Sequence, residues 1–283
     1  MLRLAGIDVN AISLGGLRTC IQLPAMDLAF DMGCCPDSAV HRSKVLFTHA
    51  HMDHMGAVNM HCATRALMKL PPPDYVLPPG VQPAFAALMA AWSQLDGNEM
   101  RHNAHTVAPG ETYRVRRDVV ARPFRTVHRV VSQGYVLYRE KRKLRPAWRG
   151  RPGPEIAAAR ARGEDVIEKV EEPEVAFTGD TRIEALDDNP VTYRTKLLIM
   201  EVTFHDEQVP VRKSRAMGHI HLDEVVARAE RFDNEALLFT HRSARYGVRQ
   251  VQEILQKRLP SSLYDRVTLL PDPPASSGPS SRP

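Results

Sequence analysis

The sequence predicts one α/β domain, in which strands and helices alternate along most of its 283 residues. Apolar runs of strand length alternate with segments of helical periodicity, without a clean break between them. In addition, several predicted strands end in histidine or aspartate, as expected where the carboxyl ends of neighbouring strands meet at one sheet edge. We therefore expect a single domain over 1–270, followed by a disordered Pro/Ser tail over 271–283.

The first half of the chain is predicted to begin with short buried strands at 28–33 and 45–49, because both are apolar runs bounded by turn signals. The segment 56–69 has helical spacing and stops at a run of prolines, so it is predicted to be a helix. A second helix is predicted at 82–95. The alternating pattern of 113–128 predicts one or two further strands.

The second half continues the alternation. Strands are predicted at 134–140, 174–181, 195–204 and 235–241, and helices at 222–232 and 248–259. Two acidic residues at the start of the 222–232 segment favour a helix N-terminus there.

Composition excludes several classes of protein. Hydrophobic residues make up 43% and charged residues 25% of the chain, which is normal for a globular protein. No apolar run approaches the roughly 20 residues that span a bilayer, and the start lacks the apolar block of a signal peptide. We expect a cytoplasmic protein without a membrane partner.

The four cysteines and the net charge give weaker indications of cofactors and partners. Cys34 and Cys35 are adjacent and no CxxC pair occurs, so we interpret Cys20, Cys62 and this pair as small packing residues rather than disulfides or metal ligands. The formal charge of +5 weakly favours a polyanionic partner.

The stretch "VLFTHAHMDHMG" at 45–56 crowds His49, His51, Asp53 and His54 into six positions. Histidine and aspartate are poor strand and core residues. Alternate residues on an extended stretch share a side, and the Asp-His pair then turns into a helix start. We interpret the four side chains as metal ligands.

Further donors end other predicted strands, namely His128, Asp180 and His241. Singly, each could be an ordinary polar residue. Together with the first cluster they make seven donors, which suit zinc and also manganese or iron. Zinc takes about four ligands, so the set predicts two ions bridged by one carboxylate. Two ions about 3.5–4 Å apart can activate a hydroxide between them as a nucleophile.

At these residues the chain resembles the metallo-β-lactamase superfamily and, within it, the tRNase Z family in its short plant-type form. The resemblance runs in the family's order over nearly the whole chain. The matching stretches are "SLGGLRTC" (13–20), "THAHMDHMG" (48–56), "FRTVHRVVSQGY" (124–135), "PEVAFTGDT" (173–181), "MEVTF" (200–204), "GHIHLDEV" (218–225) and "THRSARY" (240–246).

The resemblance implies an αβ/βα sandwich of two mixed β-sheets flanked by helices, with 1–270 as a hydrolase domain and 139–165 as a basic, arm-like insertion. It implies two Zn²⁺ per chain, with Mn²⁺ or Fe²⁺ as alternatives. The implied ligands are His49, His51 and His128 for one ion, Asp53, His54 and His241 for the other, and Asp180 as the bridge.

The same resemblance implies an endoribonuclease that removes the 3′ trailer of precursor tRNA through the zinc-bound hydroxide, and a homodimer. Glu201 and His219 match the family's pair beside the scissile phosphate, where a histidine oriented by a carboxylate can protonate the leaving 3′ oxygen. His221 could replace His219 in this role. Asp53 is implied to help orient the hydroxide.

Two features stay open at the level of sequence. The segment 139–165 contains basic residues around Trp148 that could contact RNA phosphates or form a solvated loop. These are Arg139, Lys141, Arg142, Lys143, Arg145, Arg149 and Arg151. Arg242, directly after His241, could contact phosphate or face solvent. The rival function is a small-molecule hydrolase on the same fold, such as a lactonase, a thioesterase or a general phosphodiesterase.

Overall fold

The computed structural model describes residues 1–272, and the predicted tail lies outside the described residues from position 273 onward. Two seven-stranded mixed sheets stack face to face, and helices cover their outer faces. This is the αβ/βα sandwich that the sequence resemblance implied. None of the helices within 1–272 has the length and apolar character needed to cross a membrane.

The first sheet contains the strands of the amino-terminal half in chain order. Its first four strands are antiparallel neighbours, and β4 to β7 are parallel. The strands are β1 (Leu2–Leu4), β2 (Ile7–Leu14), β3 (Arg18–Leu23), β4 (Leu28–Phe30), β5 (Lys44–Leu46), β6 (Asp74–Leu77) and β7 (Asn103–Thr106). The helices of this half are α1 (Asp37–Val40), α2 (Met52–Met55), α3 (Val58–Leu67) and α4 (Gln82–Asp96).

The second sheet repeats this arrangement, since its first four strands are antiparallel and its last four are parallel. The strands are β8 (Tyr113–Arg116), β9 (Val119–Arg125), β10 (Gln133–Leu144), β11 (Ile167–Phe177), β12 (Leu197–Glu201), β13 (Ala236–Thr240) and β14 (Val267–Leu269). The helices are α5 (Gly153–Ala161), α6 (Glu184–Asp188), α7 (Val211–Met217), α8 (Leu222–Val226), α9 (Val248–Arg258) and α10 (Ser261–Tyr264).

Apolar side chains fill three layers. Between the sheets, the ring of Phe30 lies 5.9 Å from that of Tyr135 and 4.9 Å from that of Phe177. A second layer lies under α3 and α4 and includes Phe85. The third lies under the helices of the carboxyl-terminal half and includes Phe232. Removing these surfaces from water is the main term that holds the layers together.

Most predicted elements are present with shifted ends, and 113–128 forms the two strands β8 and β9. The sequence did not predict β1 and β2, whose residues are largely half-buried on both faces, nor β3, β6 and β7. The helix predicted at 222–232 is wrong beyond Val226. The chain turns there through a short 3-10 segment because Phe232 is buried against Tyr193, with ring centroids 4.9 Å apart.

The strands β10 and β11 form a hairpin that extends past its neighbours. They pair with each other as far as Leu144 and Ile167, whereas β9 pairs with β10 only as far as Arg139, and β12 pairs with β11 only from Val175. The segment 139–165 therefore consists of the outer end of β10 and the helical crossing that includes α5.

The topology gathers polar side chains at one edge of the sandwich. The strands β5, β9, β11, β12 and β13 all end at this edge, because β9 runs parallel to β11 through their shared neighbour β10. The predicted metal ligands lie at or directly beyond these strand ends.

Candidate metal centre

Three histidine nitrogens meet on one side of this edge. Nδ1 of His51 lies 3.0 Å from Nε2 of His49 and 3.2 Å from Nε2 of His128. His49 and His51 come from the segment after β5, and His128 from the segment after β9. The sequence predicted these three side chains as the ligands of one ion, and the structure brings them together.

A second group adjoins the first. His241 Nε2 lies 3.3 Å from Asp53 Oδ2 and 3.3 Å from Asp180 Oδ2, and His54 Nε2 lies 3.3 Å from Asp180 Oδ1. The Asp180 carboxylate also faces the first group, because its Oδ2 lies 3.9 Å from His49 Nε2 and 4.0 Å from His128 Nε2. Asp180 therefore lies between the two groups, and its role as a bridging ligand stays a prediction.

Hydrogen bonds fix the ring orientation of His49 and His54. Nδ1–H of His54 donates to Asp31 Oδ2 at 2.8 Å. The Thr48 hydroxyl donates its single hydrogen to Asp31, so it accepts from Nδ1–H of His49 at 3.0 Å. In both rings Nδ1 carries a proton, and Nε2 points into the cluster.

The same holds for His128 and His241. His128 donates Nδ1–H to the carbonyl oxygen of Gly218 at 3.0 Å. The Thr203 hydroxyl donates to Glu201 Oε2 at 2.5 Å and accepts from Nδ1–H of His241 at 3.0 Å. Each of the four rings is thus held by its Nδ1–H, with Nε2 pointing inward.

This arrangement fits cations between the donors. Nitrogens of His49 and His128 that bear lone pairs cannot hydrogen-bond with each other, and His54 Nε2 and the Asp180 carboxylate need a positive charge, either a proton or a cation, between them. Nε2 of His54 and Oδ1 of Asp180 are buried, and neither has a hydrogen-bond partner within the described residues. Buried acceptors held face to face are costly unless a positive charge lies between them. The donor set, histidine nitrogen with carboxylate oxygen, suits zinc, manganese or iron.

The pKa values of these groups reflect their burial and crowding. Burial lowers the pKa of His49 well below its usual value. Burial also lowers that of His54, but the carboxylates of Asp180 and Asp31 outweigh it and raise the pKa well above its usual value. The pKa of Asp53 is lowered, against the effect of burial, by the hydrogen bond with His241 and the charge of His54. Asp53 is therefore ionised at neutral pH and available as a ligand.

Glu201 and His219 form a pair beside the metal ligands. Glu201 Oε1 accepts from Nδ1–H of His219 at 3.0 Å and from the backbone N–H of Thr181 at 2.7 Å. Its Oε2 accepts from Thr203 and from the backbone N–H of Ile220. Burial lowers the pKa of His219, but Glu201 and Asp180 raise it to about 9. The imidazole ring of His219 stacks against that of His241, with centroids 5.3 Å apart.

His221, the alternative to His219, has another role. Its Nδ1 accepts from the backbone N–H of Asp223 at 3.1 Å, and Glu224 completes a capping box at the start of α8. Its Nε2–H donates to the carbonyl oxygen of Asp206. Both ring nitrogens are engaged away from the metal ligands.

Arg242 takes neither of the roles considered from sequence. It is buried, pairs with Asp272 and donates to the carbonyl oxygen of Tyr246. It therefore supports the local chain rather than reaching phosphate.

The sequence analysis missed the side chains that orient the ligands, Asp31, Thr48 and Thr203. A signal for Asp31 was present, because it follows the apolar strand 28–30 in the way that Asp180 follows β11. Asp31 also adopts φ 57°, a left-handed conformation that non-glycine residues take mostly where the surroundings enforce it. The two threonines carried no such signal, since threonine is common in strands.

The basic residues predicted to contact RNA lie far along the β10–β11 hairpin and the crossing beyond it. Six of the seven pair with carboxylates. The pairs are Arg139 with Asp118 and Glu174, Lys141 and Lys143 with Glu172, Arg145 with Asp165, Arg149 with Glu168, and Arg151 with Glu155. Arg142 has no carboxylate partner within the described residues. The guanidinium of Arg151 also lies 4.6 Å from the centre of the Trp148 ring. Much of the strip's charge is thus balanced locally, and its contact with RNA stays a prediction.

The cysteines and the remaining histidines lie outside the cluster. Each group of metal-compatible side chains within 1–272 belongs to this one site, and none of them contains a cysteine. The segment 102–105, "HNAH", is mostly strand β7, and His105 pairs there with Asp74.

Comparisons with known proteins agree with the fold. No model of a known protein family matches the chain. Its structure is similar to that of the metallo-β-lactamase fold protein YhfI of Bacillus subtilis, with a TM-score of 0.62 and 15% identity over 93% of this chain and 96% of that one. The short form of human tRNase Z gives a TM-score of 0.61 and 17% identity over 93% and 96% of the two chains. The chain thus has the metallo-β-lactamase fold.

Sequence similarity narrows this class. The chain is 38% identical to tRNase Z TRZ1 of Arabidopsis thaliana over 95% of its own length and 96% of that protein's. It is 35% identical to the chloroplastic tRNase Z TRZ2 of the same plant over 90% of its own length and 73% of that protein's. The chain belongs to the tRNase Z family.

Proposed function

We propose that the protein is an endoribonuclease that removes the 3′ trailer from precursor tRNA, with two divalent metal ions bound per chain. The observation that carries the proposal is the convergence of all seven predicted donors beside the Glu201–His219 pair, in a chain of the tRNase Z family. Zinc is the metal that this donor set favours, with Mn²⁺ or Fe²⁺ as alternatives.

The seven donors would form two metal subsites. His49, His51 and His128 would hold one ion, Asp53, His54 and His241 the other, with Asp180 shared between them. When bound, such a pair of ions supplies an activated water at neutral pH and neutralises charge on the phosphoryl oxygens.

The protein's own contribution to bond breaking is a positioned proton. The 3′ oxygen of the tRNA body leaves the phosphorus as the phosphodiester breaks, and it needs a proton. His219 is protonated at neutral pH because its pKa is raised to about 9, and its Nδ1–H is committed to Glu201. Nε2–H is therefore left to face the reacting phosphate. Donation of this proton gives a tRNA ending in a 3′ hydroxyl and a trailer with a 5′ phosphate.

The test is cleavage of a 3′-extended tRNA transcript by the protein loaded with zinc, manganese or cobalt, beside a panel of lactones and thioesters. We expect one cut at the 3′ boundary of the tRNA, with a 3′ hydroxyl on the body and a 5′ phosphate on the trailer. An intact transcript under all three metals would contradict the proposal. Turnover of a lactone or thioester in its place would identify a small-molecule hydrolase.

We further propose that the protein is a homodimer through an exposed apolar face on α4. The helix α4 carries apolar residues around its whole circumference, although only Phe85 and Met89 are buried. Leu88 is 41%, Trp92 39% and Leu95 78% exposed. A helix that is apolar all round is normally covered, and an exposed patch of this kind is typical of an interface.

Sedimentation velocity tests the homodimer. We expect Leu95→Glu to shift the protein from dimer to monomer, because it places a charge in the covered face. Gln94→Glu is the matched control, since it adds the same charge at an exposed polar position of the same helix. A wild-type monomer at micromolar concentration would contradict the proposal. Cytoplasmic location also stays a prediction, with which the four free cysteines are compatible.

A further inference from the structure

Exposed apolar side chains lie beside the metal ligands, where no core requires them. Val127, Val130 and Val131 surround the ligand His128 in sequence and are 37%, 40% and 59% exposed. Met52, between two ligands, is 78% exposed. Single exposed apolar residues are ordinary, but a group of them at a polar site indicates a surface that is covered during function.

The valines belong to a loop at 126–132 that is tied down at both ends. The Thr126 hydroxyl donates to Ser132 Oγ at 2.7 Å, which closes the loop on itself. The backbone N–H of Val127 donates to Thr181 Oγ1 at 2.9 Å, and its carbonyl accepts from the N–H of Arg182. The loop is thus fixed beside the metal ligands and presents residues 129–131 to solvent.

Arg129 lies at the exposed turn of this loop. It is exposed and has no carboxylate partner within residues 1–272. It follows the predicted ligand His128 directly in the chain. The basic residues of the β10–β11 hairpin differ, because most are already paired with carboxylates. An unpaired guanidinium beside a phosphodiester site is suited to a phosphate group.

We infer that the loop 126–132 binds the RNA strand next to the scissile phosphate, with Arg129 on the phosphate of a neighbouring nucleotide and Val130 and Val131 against its ribose or base. This inference rests on the proposed function, because it names how that site holds its substrate. An unpaired cation beside apolar side chains matches the chemistry of a nucleotide, which has a charged phosphate next to a less polar ribose and base.

The test compares Arg129→Glu and Arg129→Gln with wild type on two substrates. One is the 3′-extended tRNA transcript, and the other is bis(p-nitrophenyl) phosphate, which is too small to reach a neighbouring phosphate subsite. We expect Arg129→Glu to raise KM for the transcript about tenfold. The kcat/KM for the transcript, divided by the kcat/KM for the small diester, should fall by a similar factor. The salt dependence of transcript binding should become shallower by about one ion. Arg129→Gln should show the same changes, smaller in size.

Arg194→Glu is the matched control. Arg194 is also exposed and has no carboxylate partner within the described residues, but it precedes β12 and so lies at the sheet edge opposite the metal ligands. The Arg194→Glu variant makes the same charge change far from the proposed RNA path. Its KM for the transcript should stay at the wild-type value. The double variant Val130→Ser, Val131→Ser should raise KM severalfold without altering the salt dependence, since no charge is removed.

Three results would overturn the inference. They are an unchanged substrate ratio in Arg129→Glu, an equal loss in Arg194→Glu, or loss of bound metal from Arg129→Glu, which would make Arg129 a support of the metal centre. If wild type hydrolyses the small diester but no transcript, the proposed function fails instead.

Discussion

Asp31 accepts a hydrogen bond from Nδ1 of His54 at 2.8 Å, and both side chains are buried. This contact turns Nε2 of His54 toward Asp180. We expect Asp31→Asn to lower metal affinity about 10–100-fold, because an amide keeps the shape but loses the charge that orients and polarises the imidazole. Competition against a chelator, with metal content as the readout, measures the effect.

The control for this change is Asp27→Asn. Asp27 lies at the opposite end of the same strand, β4, where it accepts from the backbone N–H of Ser43 at 3.0 Å. It should alter stability without altering metal affinity. Equal metal affinity in Asp31→Asn and wild type would show that the Asp31–His54 contact does not tune the ligand.

His219→Ala should slow transcript cleavage about 10²–10⁴-fold, the range expected for loss of a general acid. Its metal content should match wild type, because His219 is directed to Glu201 rather than to an ion. His221→Asn is the control, since asparagine keeps an acceptor at the helix start and kcat should hold. Loss of metal from His219→Ala would assign this residue to the ligands.

Gly179→Ala should be severely destabilising. Gly179 has φ +57°, and a Cβ there would lie 2.6 Å from Cβ of Thr48, the residue that orients His49. We expect a loss of about 3 kcal/mol or more in the free energy of unfolding, together with weaker metal binding. Gly150→Ala isolates the backbone term, because Gly150 has φ +81° with nothing within 4 Å. It should cost only about 1 kcal/mol. Equal losses in urea unfolding would contradict the proposed clash.

The cluster of candidate metal ligands was predictable from sequence because its chemistry is local. Asp53 and His54 stand in one dense motif, and His128, Asp180 and His241 each end an apolar run. The topology of an α/β sheet then brings strand ends together without further information. The resemblance supplied the pairing of Glu201 with His219, which no spacing rule contains.

Other features depend on tertiary contacts and were out of reach. The hydroxyls of Thr48 and Thr203 matter only through the rings that they contact, and threonine in a strand carries no signal of its own. The helix predicted through Phe232 ended early because burial of one ring outweighed helical periodicity. The ion pairs that balance the basic hairpin join residues up to 35 positions apart, so charge counting along the segment overstated its free charge.

The buried side chain of His205 predicts an acid-sensitive step in stability. Neither ring nitrogen has a hydrogen-bond partner within the described residues, and the ring lies 5.2 Å from that of Tyr246. Burial lowers the pKa of His205 to about 3, the charges of His221 and Arg242 add to this, and Asp206 opposes it. Because the folded pKa lies below the unfolded value of about 6.5, this stability is complete above pH 6.5 and is lost as the pH falls toward 3. At pH 5 the loss is about 2 kcal/mol relative to pH 8.

His205→Phe keeps an aromatic ring and cannot be protonated. Between pH 8 and pH 5, its free energy of unfolding in urea should therefore rise by that amount relative to wild type. Parallel loss in both proteins would mean that His205 does not contribute to the acid sensitivity.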